Sequence, residues 1–319
     1  MDNNFIKTTA KNIITNIQKV IIGKLNVIDL LLTSMVSGGH VLIEDVPGTG
    51  KTVLAKALAK SVDVTFKRIQ FTPDLLPSDL IGINYYNQKE KEFTFRKGPI
   101  FTNILLADEI NRATPRTQSS LLEAMEEYQV SVDGHTYKLA QPFFVIATEN
   151  PIENQGTFPL PEAQLDRFMM KINMGYPTLE ESKQLFKRFI MGNPLENIKS
   201  VCNINEILTA KSEYKKVYVH DEIQSYILNI IEYTRNDDSI LMGVSPRGAL
   251  ALLKCCQAYA AINGRNYVVP EDVKYLCPYV LNHRIILKDT LGIRGVSTFS
   301  AINNILDKIK VPTEDWSQK

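Results

Sequence analysis

Apolar residues fall in short, nearly unbroken runs through the first half of the chain, at residues 40–44, 64–70, 104–108, 143–148 and 168–174. Runs this rich in Val, Ile, Leu and Phe predict strands of a parallel α/β sheet whose two faces are both covered by helices. Two segments break the alternation. Residues 83–98 place Phe93 and Phe95 at period two, and residues 129–139 turn at Asp133-Gly134, so each predicts an inserted β-hairpin.

After Gly175-Tyr176-Pro177 the strand-like runs mostly disappear and capped helical segments take over. Thr178-Leu179-Glu180-Glu181 forms a capping box, and Ser245-Pro246 supplies a cap and a first-turn proline for a helix over 248–261. Val269-Pro270-Glu271-Asp272 opens another helix, and residues 221–233 carry Ile223, Ile227, Ile230 and Ile231 at helical spacing. The pattern predicts an α/β domain over 1–177 and a helical domain over 178–319. No internal repeat or low-complexity tract interrupts either.

Composition narrows the class. The chain has 319 residues, 44% hydrophobic and 22% charged, which is the balance of a folded globular protein with a sizeable core. No apolar stretch approaches the roughly 18 residues that span a bilayer, and the N-terminus lacks a basic flank and apolar run, so a cytoplasmic protein is expected. The four cysteines, Cys202, Cys255, Cys256 and Cys277, have no metal-ligand spacing and read as buried small residues. With 36 basic against 35 acidic side chains, nothing marks a nucleic-acid footprint.

Chemistry enters at Glu44-Asp45-Val46-Pro47-Gly48-Thr49-Gly50-Lys51-Thr52, a Gly-rich turn placed where the strand Val41-Leu42-Ile43 feeds a helix starting at Lys51. Backbone N–H groups of the turn and the positive helix end suit phosphates, Lys51 reaches the β- and γ-phosphates, and the Thr52 hydroxyl suits Mg²⁺. Asp45 stands where the phosphate-loop pattern usually has Gly. Its carboxylate must therefore point away from the phosphates.

Further along, Ile104-Leu105-Leu106-Ala107-Asp108-Glu109 is a buried strand ending in two acids, and strand ends in such sheets line the ligand crevice. Asp108 is placed to hold Mg²⁺ and Glu109 to polarise an attacking water. A second polar strand end, Ala147-Thr148-Glu149-Asn150-Pro151, offers Asn150 as a sensor of the γ-phosphate, against plain turn chemistry. Arg167, in Leu165-Asp166-Arg167-Phe168, and Arg247, in Ser245-Pro246-Arg247-Gly248, supply positive charge for the transition state. Arginine at a helix start opposes the helix dipole, which a structural role would not ask for. The structural alternatives are pairing of Arg167 with Asp166 or Glu162, and a surface position for Arg247.

Together these residues resemble the MoxR family of AAA+ ATPases. The resemblance spans about residues 15–290. It rests on residues 70–79 (QFTPDLLPSD), 107–112 (ADEINR), 121–125 (LLEAM), 147–151, 158–163 (FPLPEA), 165–168, 245–248, Gly264-Arg265 and 269–273. It implies a P-loop αβα core with a parallel five-stranded sheet and β-hairpin insertions, followed by a small all-α lid. It also implies a ring, typically a hexamer, with ATP at subunit interfaces. Lys51 and Thr52 then correspond to Walker A, Asp108 and Glu109 to Walker B, Asn150 to sensor 1 and Arg247 to sensor 2. Arg167 corresponds to the finger that reaches a neighbouring subunit, with Arg112 as a competitor. Ile21-Ile22-Gly23 resembles the segment bordering adenine, although Lys24 stands where relatives often carry Gln. The hairpins become candidate substrate-contacting elements.

The expected function is ATP hydrolysis that drives maturation or activation of a protein client, such as one with a von Willebrand factor type A domain. Three alternatives share this core: a metal-chelatase-like motor subunit, a nucleic-acid remodelling motor, and a nucleotide-switched scaffold. A nucleic-acid motor would want a basic, aromatic-lined loop. The Lys89-Glu90-Lys91-Glu92 tip alternates in sign instead, and the intact Glu109 argues against a silent scaffold.

Overall fold

In the computed structural model, residues 4–151, 156–190, 192–288, 297–313 and 316 are described. The last positions of the resembling span, 289–290, lie outside them. Two helices, α1 (Asn4–Gln18) and α2 (Leu25–Ser37), precede β1 (Val41–Glu44), which the phosphate-loop segment joins to α3 (Lys51–Val62). Next come β2 (Phe66–Gln70), α4 (Pro77–Ile81), the hairpin β3 (Gly82–Asn87) and β4 (Glu92–Lys97), β5 (Ile104–Asp108) and α5 (Pro115–Glu127). A second hairpin, β6 (Gln129–Val132) and β7 (His135–Lys138), leads to β8 (Phe144–Glu149), α6 (Glu162–Leu165) and β9 (Met170–Ile172).

The five long-range strands form one parallel sheet in the order β2-β5-β8-β1-β9. Successive residues of each inner strand serve opposite faces. Val41, Ile43, Ile104 and Leu106 join one buried cluster with the helices α1 to α3, whereas Leu42, Leu105, Ala107 and Val145 join another with α4 and α5. That two-sided burial is why these strands read as unbroken apolar runs. The exception is β2 at the sheet edge, where Lys67, Arg68 and Gln70 are exposed and the expected run is polar.

Both hairpins form where the aromatic alternation and the Asp133-Gly134 turn place them. Asp133 and Gly134 both adopt positive φ, the conformation a two-residue hairpin turn demands. The hairpins touch each other through Phe95 stacked on Tyr137 at 4.3 Å and an Asn84–Asp133 hydrogen bond of 2.7 Å.

Beyond β9 the chain is mostly helical: α7 (Leu179–Ile190), α8 (Pro194–Asn197), α9 (Ile204–Glu213), α10 (Asp221–Asn236), α11 (Pro246–Ile262), α12 (Pro270–Leu281) and a last helix Thr298–Lys308. The expected caps form. Thr178 and Glu181 close the box at α7, and Ser245 Oγ accepts the Gly248 N–H at α11. The all-helical expectation misses one element, a short antiparallel pair of β10 (Ile240–Met242) and β11 (Ile286–Leu287). These helices continue the buried cluster that α1 to α3 build on the sheet. Buried Asn16 ties the layers, donating to Ser61 Oγ at 3.0 Å and to the Lys199 carbonyl at 2.9 Å. Buried Arg284 closes the other seam, with its Nε on Asp166 at 2.6 Å and further bonds to carbonyls of the 166–169 turn. The four cysteines are free and buried, with burial pushing each thiol up. Among the described residues no helix is long and apolar enough to cross a membrane.

Candidate functional site

The loop between β1 and α3 is held open by its own backbone. Gly48 and Gly50 sit at φ +85° and +94°, and a Cβ on either would meet nothing within 4 Å. Only residues without a Cβ adopt that conformation at no cost, and the space above them is open. Pro47 is exposed, and Thr49 Oγ1 bonds the Val46 carbonyl at 3.4 Å. Lys51 bends back so that Nζ donates to the Asp45 carbonyl at 2.8 Å. Partial burial pulls its ammonium below the usual lysine range, opposed by the charges of Asp45, Asp108 and Glu109. Thr52 lies half-buried in the first turn of α3.

Asp45 does turn away from the cradle. Its buried carboxylate accepts the Val46 N–H at 2.8 Å and the Gly175 N–H at 3.1 Å, so it fastens the loop to the segment leaving β9. The departure from Gly at this position thus has a structural use.

Asp108 ends β5 beside the loop. Its Oδ1 accepts Thr148 Oγ1 at 2.6 Å, and its Oδ2 takes both Nε and Nη2 of Arg68, at 3.0 and 2.6 Å. Thr148 also accepts the Glu109 N–H at 2.8 Å, so one hydroxyl sets the positions of both acids. Glu109 occupies the left-handed region at φ +56°, a conformation costing on the order of 1 kcal/mol for a residue with a side chain. Buried Gln118 fixes the turn that follows, donating to the Ile110 and Phe158 carbonyls. Arg112, the competing finger candidate, pairs with Glu109 of its own chain at 2.9 Å. Asn150 is buried at the end of β8.

Beside the loop lies a cleft of about 240 Å³ lined by Val20, Ile21, Ile22, Lys24, Gly48, Thr49, Gly50 and Val53, and across from them by Met174, Pro177, Glu181, Leu185 and Phe189. Ile22 therefore lines an apolar cleft next to the glycine loop. Gly23 is turned away at φ +66° with the Glu181 carboxylate against it, and Lys24 Nζ donates to the Tyr176 carbonyl at 3.0 Å.

The structure brings Arg167 and Arg247 to each other. Both pair with Glu126, Arg167 at 3.0 Å, in a cavity of about 430 Å³ between α5, α11 and the 166–169 turn. Neither Asp166 nor Glu162 takes Arg167, because Asp166 is occupied by Arg284. This cavity and the loop cleft share no lining residue, so Arg247 lines a different cleft from the glycine loop of its own chain. Arg68 and Glu126 are the charged residues that sequence reasoning missed. The polar interruption by Lys67, Arg68 and Gln70 of an expected apolar run was the one signal for Arg68.

Residues 40–170 match the ATPase family associated with various cellular activities (AAA), and residues 232–298 match the AAA lid domain. The chain is 48% identical to the protein YeaC of Bacillus subtilis, over 94% of each chain. It is 39% identical to chaperone MoxR1 of Mycobacterium tuberculosis, over 95% of this chain and 82% of that one. The crystal structure of a Cytophaga hutchinsonii protein superposes with a TM-score of 0.91 at 41% identity, covering 98% of this chain and 97% of that one. A parallel five-stranded core with hairpin insertions, a helical lid and likeness to MoxR1 over 95% of this chain have one common meaning: the chain belongs to the MoxR family of AAA+ ATPases.

Proposed function

We propose that this chain hydrolyses ATP with Mg²⁺, as a ring of identical subunits, to do conformational work on a protein client in the cytoplasm. The observation that supports it most directly is the gathering of Lys51, at the start of α3, with Asp108 and Glu109, at the end of β5, beside an open glycine cradle. The residues present fit the nucleotide and its metal. Backbone N–H groups of the cradle and the Lys51 ammonium hold the phosphates, Thr52 and Asp108 hold Mg²⁺, and the apolar cleft around Ile22 takes the base. When bound, the metal offsets the phosphate charge.

The chain's own groups do the rest. The Glu109 carboxylate takes the proton of the attacking water, and Thr148 keeps it at the correct height by fixing its backbone N–H. Asn150 orients the water or γ-phosphate. Arg167 serves a neighbouring subunit's nucleotide, with Arg247 at its side. The protein client is supported by the hairpin β3–β4, which exposes Tyr85, Tyr86 and Phe93 next to a tip of alternating charge. Aromatic surface with balanced charge suits polypeptide better than a phosphate backbone.

The test is Glu109→Gln. It should bind ATP as the parent does and lose turnover by at least a hundredfold, on the order expected for removing a general base. Parental turnover would end the catalytic assignment. Held in ATP, the same variant should co-purify with its client, and capture of a protein with a von Willebrand factor type A domain would support that client class.

A further inference from the structure

One carboxylate holds both arginines of the cavity between α5, α11 and the 166–169 turn. Glu126 Oε2 pairs with Arg167 Nη1 at 3.0 Å, while Oε1 pairs with Arg247 Nη2, so each oxygen is committed to a different element of the fold. Arg167 is steadied by a second bond to the Leu122 carbonyl at 3.2 Å. Lys254 and Arg284 line the same cavity. The one other acid there, Asp166, is spent on Arg284 Nε at 2.6 Å and Ser245 Oγ at 3.0 Å. Among the described residues that line this cavity, Glu126 is therefore the one carboxylate left for Arg167, Arg247 and Lys254, while Glu123 and Glu127 line the adjoining pocket that Arg167 also borders. The cavity keeps an excess of positive charge, and Arg247 adds to it from the positive end of α11.

Such a cavity suits a polyanion better than one carboxylate. The ion pairs are also open to exchange. The side chains of Glu126, Arg167 and Arg247 are 35%, 33% and 47% exposed, and ion pairs at that exposure are weak and easily traded. Because the chain's own phosphate cradle lies in a separate cleft, the polyanion must come from outside the chain. We propose that Glu126 is a positioning residue that stands in for phosphate. It holds Arg167 and Arg247 side by side until the terminal phosphates of a nucleotide carried by a second copy of this chain displace it. This rests on the reading of a shared ATP site given above and adds its resting-state counterion.

Planar guanidinium groups bind carboxylate and phosphate with the same fork, which is why the exchange requires little movement. The exchange is competitive, so removing the Glu126 charge tightens the cavity for phosphate. A purely structural ion pair would predict loss instead.

The probe is inorganic tripolyphosphate, titrated calorimetrically into a Lys51→Ala chain, where the chain's own cradle has lost its grip. Glu126→Gln should tighten binding roughly three- to tenfold, the range expected from releasing two exposed pairs. Glu127→Gln, with the same charge change on the same helix, should change it less than twofold. Glu126→Ala carries the same expectation and guards against the glutamine carbonyl holding one arginine. Adding Arg167→Ala and Arg247→Ala should erase the gain. Unchanged or weaker binding in both Glu126 variants, an equal gain in Glu127→Gln, or a gain that survives loss of the arginines would each overturn the proposal. The catalytic reading is tested separately by Glu109→Gln turnover, so either can fail alone.

Discussion

Arg68 closes on Asp108 through two nitrogens, Nε at 3.0 Å and Nη2 at 2.6 Å, both to the same carboxylate oxygen. The pair follows from sheet register. Gln70 lies opposite Asp108 and Arg68 opposite Leu106, so an arginine two residues before the strand end reaches forward to the acid. In the proposed mechanism Asp108 is also the acid that would hold Mg²⁺. The arginine would then compete with the metal for one ligand oxygen.

Arg68→Gln should lower the Mg²⁺ concentration that half-saturates ATP binding. Arg68 is 46% exposed, so the pair is worth at most about 1 kcal/mol, a factor of about five. Fluorescent-nucleotide titration at graded Mg²⁺ measures this, with binding in chelator as the reference. A requirement that stays fixed or rises would mean that Arg68 assists the metal.

Asp45 makes a second prediction. Its carboxylate joins the phosphate loop to Gly175, at the exit from β9. Asp45→Ala leaves two half-buried N–H groups to find other partners, at about 1 kcal/mol, while Asp45→Asn keeps one acceptor oxygen. Asp45→Ala should therefore lower Tm by several degrees and weaken ATP, with Asp45→Asn intermediate in both. Equal stability of all three proteins would remove the fastening role.

Much of the core was legible because the physics is local. Leu105 and Leu106 are buried on opposite faces of one strand, so the chain spells a continuous apolar run, and Asp133-Gly134 needs only its own φ preference to turn. The cradle reads from glycines whose Cβ space is open. What stayed hidden depends on partners distant along the chain. Asn16 gives no sign that it will bond Lys199, 183 residues away, and α1 and α2 reveal their role only as the floor beneath the lid helices. Glu126 looks like one more helix-surface acid until α11 and the 166–169 turn deliver an arginine to each oxygen. Arg167 and Arg247 were visible as charges, but their adjacency was not.

Two titratable groups, half-buried Glu149 and buried His40, give the protein opposing pH responses. The Glu149 carboxyl is pushed up to about 7, first by burial and then by Glu44, against the pull of Lys171. A raised acid favours the folded state while it is protonated, so its contribution weakens as pH rises from about 4.5 to 7. Glu149→Gln should then exceed the parent in stability at pH 8 by about 1–2 kcal/mol, discounted for partial exposure, and lose that advantage near pH 4.5. Urea unfolding at the two pH values checks the difference.

His40 works in the other direction. It is 3% exposed, its Nδ1 accepts the Val145 N–H at 3.0 Å, and its Nε2 therefore carries the proton toward the Met125 carbonyl at 3.0 Å. Burial brings it down to about 4, with Lys211 adding to the shift. A depressed histidine stabilises the fold fully above its unfolded value of 6.5 and progressively less as pH falls toward 4. By pH 5 the loss reaches about 2 kcal/mol. Glu149 gains over the same interval, so the parent stability curve should be flatter than either group alone would make it. Removing one group exposes the other: His40→Asn, though less stable at pH 7, should become relatively more stable as pH falls to 5, whereas Glu149→Gln should fall more steeply than the parent. Parallel curves for all three proteins would mean that neither group titrates differently in the folded and unfolded chains.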